Sequence, residues 1–471
     1  MSTTTVQDLK ESSKPSSKTH PFGEFQLMPN VLNLKPDEVD TIEKRSKYTV
    51  GVIGCGQNGV FLAIAFADAG FKVICTDANL SVIKKVAKGK TVFADPETEI
   101  KLKGFINSGQ LNVTSELKKT VSQSDIIIIT VPAKVDDKKK IDYSEAVSAC
   151  KQVATALHPG TLVLYCSIAA FGFNEGIMKE TIENTSGLKA GSDFGLAYIP
   201  LQTSEAKYAN KTANLELRVA PVGKTNLEGA TNILRKITKN IKTIDDVKTA
   251  EIAMLFAVAK KDTSVALANE LAVFCESANI DYFEVLKLLD FTDQSFWPIT
   301  VEEENKNEAY LLLESAENIN VKLRLPALSR QINEEMVKHA VNLTQDALRA
   351  CDKTLRRARV AVLGAVNQTT GVFVKMLELK GARVSVYDPL SRRESTELGV
   401  VKASNLNETV EGTDCIIILT REEQFKNLNL KKLKALAKTP AVIVDLAGAF
   451  EPEKVETEGF VYRGLGRGLN Q

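Results

Sequence analysis

The chain has 471 residues, of which 44% are hydrophobic and 25% are charged, with 60 Lys and Arg against 59 Asp and Glu. A chain of this length folds into roughly two to four domains. The near-zero net charge gives no bulk electrostatic field that would attract nucleic acid or an acidic membrane surface, so we expect neither as a partner.

The N-terminal 47 residues are rich in Ser, Thr, Lys and Pro and lack the apolar core of a signal peptide. No stretch of the chain approaches the roughly 20 apolar residues that span a bilayer. We therefore expect a cytoplasmic protein in which residues 1–47 form a flexible or loosely docked arm. Within the arm, residues 22–34 are apolar enough to dock on the protein itself or on a partner.

The seven cysteines are dispersed, without a CxxC spacing, and most of them lie in apolar runs. This pattern predicts buried, reduced thiols. The three histidines, His20, His158 and His339, are too far apart in the sequence to indicate a metal site, so we expect none.

Strand-like apolar runs indicate a first α/β unit over residues 48–222. Runs rich in Val and Ile fit strands that are buried on both faces of a parallel sheet, and the amphipathic stretches between them fit crossover helices. The runs are residues 48–54, 71–77, 125–130 and 162–166.

A region of helical periodicity follows over residues 223–352. Residues 245–289 predict a long helix and then a shorter one, and residues 325–351 predict another. Such a region can join two α/β units and offer a dimer face, or it can be a helical connector without a role in dimerisation.

The strand pattern then returns over residues 353–471, with apolar runs at 359–364, 382–388 and 414–420. The fold class is therefore α/β, with two Rossmann-like doubly wound parallel-sheet domains joined by a central helical segment. In the second unit, residues 366–371 have no GxGxxG pattern, and a structural turn is favoured there over a nucleotide contact.

A glycine-rich loop follows the first strand and opens the first helix. Its glycines allow a tight turn, a close approach of the backbone to a pyrophosphate, and close packing of helix on strand, while the helix N-terminus faces the phosphates. The loop residues are Gly54, Gly56, Gln57, Asn58 and Gly59.

Asp77 ends the second strand, where a carboxylate accepts hydrogen bonds from ribose hydroxyls and repels a 2′-phosphate. The loop and this acid together predict that the cofactor is NAD. Further cofactor contacts are predicted after the fourth strand and after the 162–166 run, at Thr130, Val131, Pro132 and Ser167.

Over residues 49–468 the chain resembles the UDP-glucose/UDP-N-acetylmannosamine/GDP-mannose 6-dehydrogenases. The stretches that carry the resemblance are residues 62–74, 126–132, 186–198, 266–272 and 459–468. The resemblance implies NAD-linked, two-step oxidation of a sugar C6 alcohol to a carboxylate in polysaccharide precursor synthesis. A cysteine thiolate holds the intermediate in that reaction.

The residues at the family's catalytic positions are different in this chain. Leu201 stands where the resemblance places a glutamate, Met254 where it places a lysine and Ser264 where it places an asparagine. Residues 291–304 replace the loop that carries the catalytic cysteine and contain neither cysteine nor glycine. The segment that grips the nucleotide sugar is shortened to residues 366–371.

Three hypotheses follow. The first is a catalytically impaired, NAD(H)-binding member of the family that acts as a sensor, scaffold or partner subunit. The second is an active nucleotide-sugar oxidoreductase with altered chemistry, such as one reversible alcohol–aldehyde step, and the third is a structural protein that reuses the fold. We expect a homodimer, a nucleotide-sugar ligand and a protein partner that binds the N-terminal arm or residues 291–304. In that loop, the aromatic residues fit a plug of the vacated cavity better than a docking element.

Overall fold

The computed structural model describes residues 30–91, 96–136, 138–201, 215–289, 296–299, 308–364, 366–389 and 402–468. Most of the predicted arm and most of residues 291–304 lie outside these described residues.

The first sheet has the strand order β10-β9-β8-β7-β4-β1-β2-β3, and its pairings are parallel except for β8 with β9. The order of strands reverses at β1: β2 and β3 are added on one side of it, and β4 and the later strands are added on the other side. The strand bounds are β1 Thr49–Ile53, β2 Lys72–Thr76, β3 Leu111–Thr114, β4 Ile126–Ile129, β7 Leu162–Tyr165, β8 Gly195–Tyr198, β9 Glu216–Pro221 and β10 Asn240–Thr243. A short antiparallel pair, β5 Lys134–Val135 and β6 Ile141–Asp142, lies beside it.

Helices cover both faces of this sheet, which explains why its central strands are apolar on both sides. Strand β4, for example, consists of four isoleucines that are all buried. The α-helices are α1 Ile42–Arg45, α2 Gln57–Asp68, α3 Leu80–Val86, α4 Pro96–Asn107, α5 Leu117–Ser122, α6 Ser144–Ala154, α7 Lys179–Ser186 and α8 Glu228–Leu234. A 3₁₀ turn spans Pro36–Glu38, and a π-helix spans Phe173–Met178.

The central region is helical, as predicted. Its helices are α9 Val247–Ser277, α10 Tyr282–Leu288, α11 Glu308–Asn318 and α12 Arg324–Arg349. Helices α9 and α12 pack along each other and share a buried polar network. In this network Arg330 pairs with Asp262 at 2.6 Å, and Asn333 donates a hydrogen bond to Asp262 at 3.0 Å.

The second sheet is parallel throughout, with the order β12-β11-β13-β14-β15. Its strands are β11 Arg359–Leu363, β12 Arg383–Tyr387, β13 Cys415–Ile418, β14 Val442–Asp445 and β15 Val461–Gly464. Its helices are α13 Gln368–Leu379, α14 Leu406–Val410, α15 Glu423–Lys426, α16 Leu430–Leu436 and α17 Pro452–Thr457. The predicted fold class of two Rossmann-like sheets joined by a helical segment is confirmed.

The turn before α13 has a structural role. The Asn367 side chain accepts a hydrogen bond from the Thr370 N–H at 2.9 Å and so caps the helix. The short predicted turn at residues 366–371 is therefore a helix cap.

The described end of the N-terminal arm packs on the first α/β unit. Val31 and Leu34 are buried, the Val31 N–H donates to the Gly160 carbonyl at 3.2 Å, and the Asn232 amide donates to the Leu34 carbonyl at 2.9 Å. This part of residues 22–34 docks on the protein's own surface.

All seven cysteines are buried and unpaired. Within the described ranges, no helix has the length and apolar character needed to cross a membrane. The division into residues 48–222, 223–352 and 353–471 stays a prediction, and β10 extends the first sheet to Thr243.

Candidate functional site

The glycine loop between β1 and α2 brings the backbone at the start of α2 against the backbone at the end of β1. Gly54 has a φ of +101°, a conformation that favours glycine. A Cβ atom at Gly59 would lie 1.8 Å from the Gly54 carbonyl oxygen, so no side chain fits there. The Thr130 hydroxyl holds the loop against the end of β4, because it donates a hydrogen bond to the Gly54 carbonyl oxygen at 3.0 Å.

The space in front of α2 is open. A Cβ atom at Gly56 would meet no atom within 4 Å, so the fold itself does not require glycine at this position. Among the described residues, no side chain caps α2 at Gly56. A helix N-terminus of this kind can offer backbone N–H groups to a ligand. These features fit the pyrophosphate of a dinucleotide.

Asp77 has a second role that the sequence pattern does not indicate. Its carboxylate accepts hydrogen bonds from the Cys55 N–H at 2.7 Å and from the Asn79 N–H at 2.8 Å. It thus fixes the glycine loop against the end of β2. A carboxylate accepts about four hydrogen bonds, so it retains capacity for ribose hydroxyls.

Two further loop residues lie beside this space. Gln57 and Asn58 are both partly buried at the start of α2. The Asn58 amide donates to the Leu201 carbonyl at 3.2 Å, while its Oδ1 atom is buried and has no partner among the described residues. An unsatisfied buried acceptor at this position fits a site that is completed by a ligand.

The remaining predicted cofactor residues lie at the same edge of the sheet, because β1, β4 and β7 are neighbours. Val131 accepts a hydrogen bond from the Tyr165 hydroxyl at 3.2 Å, Pro132 is exposed, and Ser167 is buried directly after β7. The structure therefore brings all ten predicted cofactor residues to one edge of the first sheet.

Two of the three positions at which the resemblance placed catalytic groups, Leu201 and Met254, are apolar and packed. Leu201 and Met254 are only 1% and 4% exposed. Met254 belongs to a cluster between the loop after β7 and helices α9 and α11, formed by Ile168, Ala170, Met254, Leu255, Val258, Ala309, Leu311 and Leu312. Ser264 lies partly buried farther along α9. We refer to the eight residues from Ile168 to Leu312 named above as the Met254 cluster, which does not include Ser264.

Glu251 anchors α9 beside the Met254 cluster. It is fully buried and accepts hydrogen bonds from the Gly172 N–H at 2.7 Å, the Asn174 N–H at 2.9 Å and the Asn174 side-chain amide at 2.7 Å. Burial raises the pKa of this carboxyl, and the three hydrogen bonds oppose the rise. The sequence analysis did not single out Glu251, because its partners are far away in the chain.

Glu308, at the start of α11, is a second acid that the sequence analysis missed. Burial raises the pKa of Glu308 to about 7, and the charge of Lys261 opposes this rise. The carboxyl also contributes to the raised pKa of Tyr198, so the two side chains are near each other at the end of β8. Lys261 lies about two helical turns after Met254, on the same side of α9. Glu308 is thus an acid with a raised pKa at the start of α11, next to Ala309 of the Met254 cluster.

Within the described ranges, no group of three or more His, Cys, Asp and Glu side chains could hold a metal ion. Among the described residues, the groups at this edge that could act on a ligand are the backbone N–H groups of the glycine loop and the Asp77 carboxylate.

Comparison with known families assigns both α/β units. Residues 48–242 match the model of the UDP-glucose/GDP-mannose dehydrogenase family, NAD binding domain, and residues 370–452 match the UDP binding domain of the same family. Together the two matches cover more than half of the chain. The chain belongs to the UDP-glucose/GDP-mannose dehydrogenase family. Its cofactor is NAD, as the glycine loop and Asp77 predicted.

The chain aligns with individual relatives over nearly their whole length. The chain is 27% identical over 438 residues to the UDP-N-acetyl-D-mannosamine dehydrogenase of Pyrococcus horikoshii, which covers 89% of this chain and 99% of the relative. The solved structure of UDP-D-ManNAc dehydrogenase from that organism superposes with a TM-score of 0.76 over the same shares of the two chains. An NDP-N-acetyl-D-galactosaminuronic acid dehydrogenase structure from Methanosarcina mazei is 25% identical, with a TM-score of 0.69, and covers 90% of this chain and 98% of its own.

Substitution of Gly56 tests the cofactor loop. We expect Gly56→Val to weaken NAD(H) binding by at least about tenfold, because the side chain fills the space in front of α2. Asp77→Ala has an effect of similar size, since it removes the ribose acceptor and releases the loop. Titration of NADH fluorescence measures both effects.

Gly104→Val is the matched control, because a Cβ atom at Gly104 also meets no atom within 4 Å but lies away from the loop, in α4. Equal NADH affinity of the wild type and the Gly56→Val variant would contradict the assignment of the loop.

Proposed function

We propose that this protein binds NAD(H) and a nucleotide sugar but does not perform the two-step oxidation, and that it acts as a sensor, scaffold or partner subunit of an active dehydrogenase. The observation that carries the proposal is the burial of Met254 and Leu201 in apolar surroundings. A lysine at the first position would stabilise a developing oxyanion by its charge, and a glutamate at the second would serve hydrolysis of the acyl intermediate. Neither apolar side chain supplies these functions.

The nucleotide-sugar ligand is inferred from the family's UDP binding domain and from relatives that are named UDP-sugar dehydrogenases. The retained NAD site argues against the third hypothesis, a structural protein without a cofactor. The seven cysteines offer no replacement nucleophile, because all are buried and burial raises the pKa of those that could be considered, such as Cys166 and Cys275.

A turnover assay tests this proposal. Protein at near-stoichiometric concentration is mixed with NAD and a panel of UDP- and GDP-sugars, and NADH absorbance is followed for hours. We expect less than one equivalent of NADH, because loss of a covalent nucleophile lowers the rate by a factor on the order of a million.

The UDP-N-acetyl-D-mannosamine dehydrogenase of Pyrococcus horikoshii, run alongside, controls for the assay. Multiple turnovers with any sugar would contradict the proposed impairment.

The second candidate function is a single, reversible alcohol–aldehyde hydride transfer, which needs a base but no thiolate. Glu308 favours it, since an acid with a pKa of about 7 exchanges protons readily near neutral pH. Its neighbours Tyr198 and Lys261 place it where β8 meets α9.

Replacement of Glu308 by Gln separates the two candidates and also tests the pKa. The carboxyl of Glu308 has a folded-state pKa above its unfolded value of 4.5, so its contribution to stability is present below pH 4.5 and is lost as the pH rises to about 7. The Glu308→Gln variant, which cannot ionise, should therefore gain roughly 1–3 kcal/mol over the wild type between pH 5 and pH 8. Thermal unfolding at both values measures this gain.

Unchanged relative stability of the variant across this range would contradict the raised pKa. If the wild type interconverts a sugar alcohol and aldehyde, Glu308→Gln should abolish the activity; retained activity would remove Glu308 as the base.

The proposed homodimer rests on one face of α9. Phe256, Leu267, Leu271 and Phe274 recur at helical spacing along this face and are between 42% and 65% exposed. Exposed apolar side chains on one helix face are typical of a protein–protein contact, and three of the four, Leu267, Leu271 and Phe274, are close together in the last part of the helix.

Charge substitution on this face tests the dimer. We expect the double variant Leu271→Glu, Phe274→Glu to raise the dimer dissociation constant by about hundredfold or more, because two carboxylates would be buried without partners. Sedimentation velocity over a range of concentrations measures the effect.

Leu379→Glu is the matched control, since Leu379 is 79% exposed on α13. A monomeric wild type, or a double variant that dimerises like the wild type, would contradict the proposed interface.

A protein partner on the arm or on residues 291–304 is the remaining part of the proposal. The described part of the arm is occupied by contacts with the first α/β unit, so a partner would bind the residues before it.

A further inference from the structure

The only tryptophan of the chain, Trp297, lies at the carboxyl edge of the second sheet. Its indole N–H donates to the carbonyl of Ala447, directly after β14, at 3.3 Å. The guanidinium carbon of Arg421, just after β13, is 3.8 Å from the ring centroid, and the Phe283 ring of α10 is 4.9 Å away, tilted by 40°. The indole therefore bridges the central helices and two strand ends.

The residues beside Trp297 are held in place by hydrogen bonds. The Tyr282 hydroxyl donates to the Phe296 carbonyl at 2.8 Å, and the Ile299 N–H donates to the Asn269 side chain at 2.8 Å. Asn269 is buried and donates in turn to Asn333 at 2.9 Å. We call residues 296–299 the tryptophan segment. Hydrogen bonds at Phe296 and at Ile299 thus hold the segment on both sides of Trp297.

This edge of the sheet has the features of a ligand site. In open parallel sheets, ligands bind outside the carboxyl ends of the strands. Arg421 is exposed there, and Arg467, which pairs with Asp281, lies 4.4 Å from the Phe283 ring centroid. Burial and the nearby charge of Arg467 both lower the pKa of Arg421, so the two guanidinium groups are close enough to influence each other.

The contacts of Trp297 match those that a nucleobase makes. A planar ring that packs against an aromatic side chain and lies under a guanidinium, with an N–H donating to a backbone carbonyl, makes the kinds of contact by which proteins hold a base. Guanidinium groups at the rim of such a slot suit a diphosphate, which they bind by charge-assisted hydrogen bonds.

We propose that Trp297 occupies, in the free protein, the slot between Phe283 and Arg421 that the base of a nucleoside diphosphate takes on binding. Binding of the nucleotide then requires displacement of the tryptophan segment. This inference rests on the proposed nucleotide-sugar ligand and adds a competition within the chain. The apparent affinity for the nucleotide equals the affinity of the open slot multiplied by the fraction of molecules in which the slot is open.

The single tryptophan makes the inference directly measurable with UDP as the probe. In the full-length protein, UDP should shift the tryptophan emission to longer wavelength, saturably, as the indole leaves its slot for water. Calorimetric titration of the same sample gives the dissociation constant independently. The variant Trp297→Ala should bind UDP about tenfold more tightly, because the competing ring is gone.

The control is Leu379→Ala, an exposed apolar position on α13, which should bind UDP like the wild type. UDP binding by calorimetry without any change in tryptophan emission would overturn the inference and leave the nucleotide-sugar proposal standing. Weaker UDP binding by Trp297→Ala than by the wild type would also overturn it, since the indole would then contact the ligand. Absence of UDP binding in both proteins would overturn the inference together with the proposed ligand.

Discussion

The structure depends on the contact between helix α9 and the loop that follows β7. The buried Glu251 carboxylate accepts three hydrogen bonds from Gly172 and Asn174, which fixes the helix over the edge of the first sheet. An unpaired acid at this depth would be costly, so the hydrogen bonds determine where α9 lies. Met254 follows within one helical turn and therefore packs against Ile168 and Ala170.

The glycine loop and Met254 are held in place by different contacts. The glycine loop is held by Thr130 and Asp77, which directly follow strands β4 and β2, whereas Met254 packs in the apolar cluster between the loop after β7 and helices α9 and α11. A substitution in the Met254 cluster can therefore leave the hydrogen bonds that hold the glycine loop unchanged.

Much of this architecture follows from local patterns in the sequence. The buried strands, the long helix α9 and the glycine loop were all predicted, because hydrophobic periodicity and glycine spacing report on neighbouring residues. The assignment of positions 201 and 254 to the family's catalytic groups needed only the resemblance to a family, and it stays a prediction. That these side chains are packed rather than open to a cavity needed the structure.

The interactions that the sequence did not indicate join distant residues. The Glu251 partners are 77 residues away in the chain, and the Trp297 indole donates to a carbonyl 150 residues away. Nothing in the composition near Glu308 indicates that burial raises its pKa. The aromatics of residues 291–304 were expected to fill a vacated cavity. That expectation stays a prediction. In the described part of that loop, Trp297 reaches the carboxyl edge of the second sheet.

The central claim is that position 254 has changed from a catalytic position to a core position. The most direct test compares the thermal unfolding of Met254→Lys with that of Met254→Leu. If the side chain is packed in an apolar cluster, Met254→Leu costs less than about 1.5 kcal/mol, while Met254→Lys costs about 2–4 kcal/mol because a charge is buried without a partner. A lysine variant as stable as the leucine variant would contradict the account, since position 254 would then face a hydrated cavity like that of an active dehydrogenase.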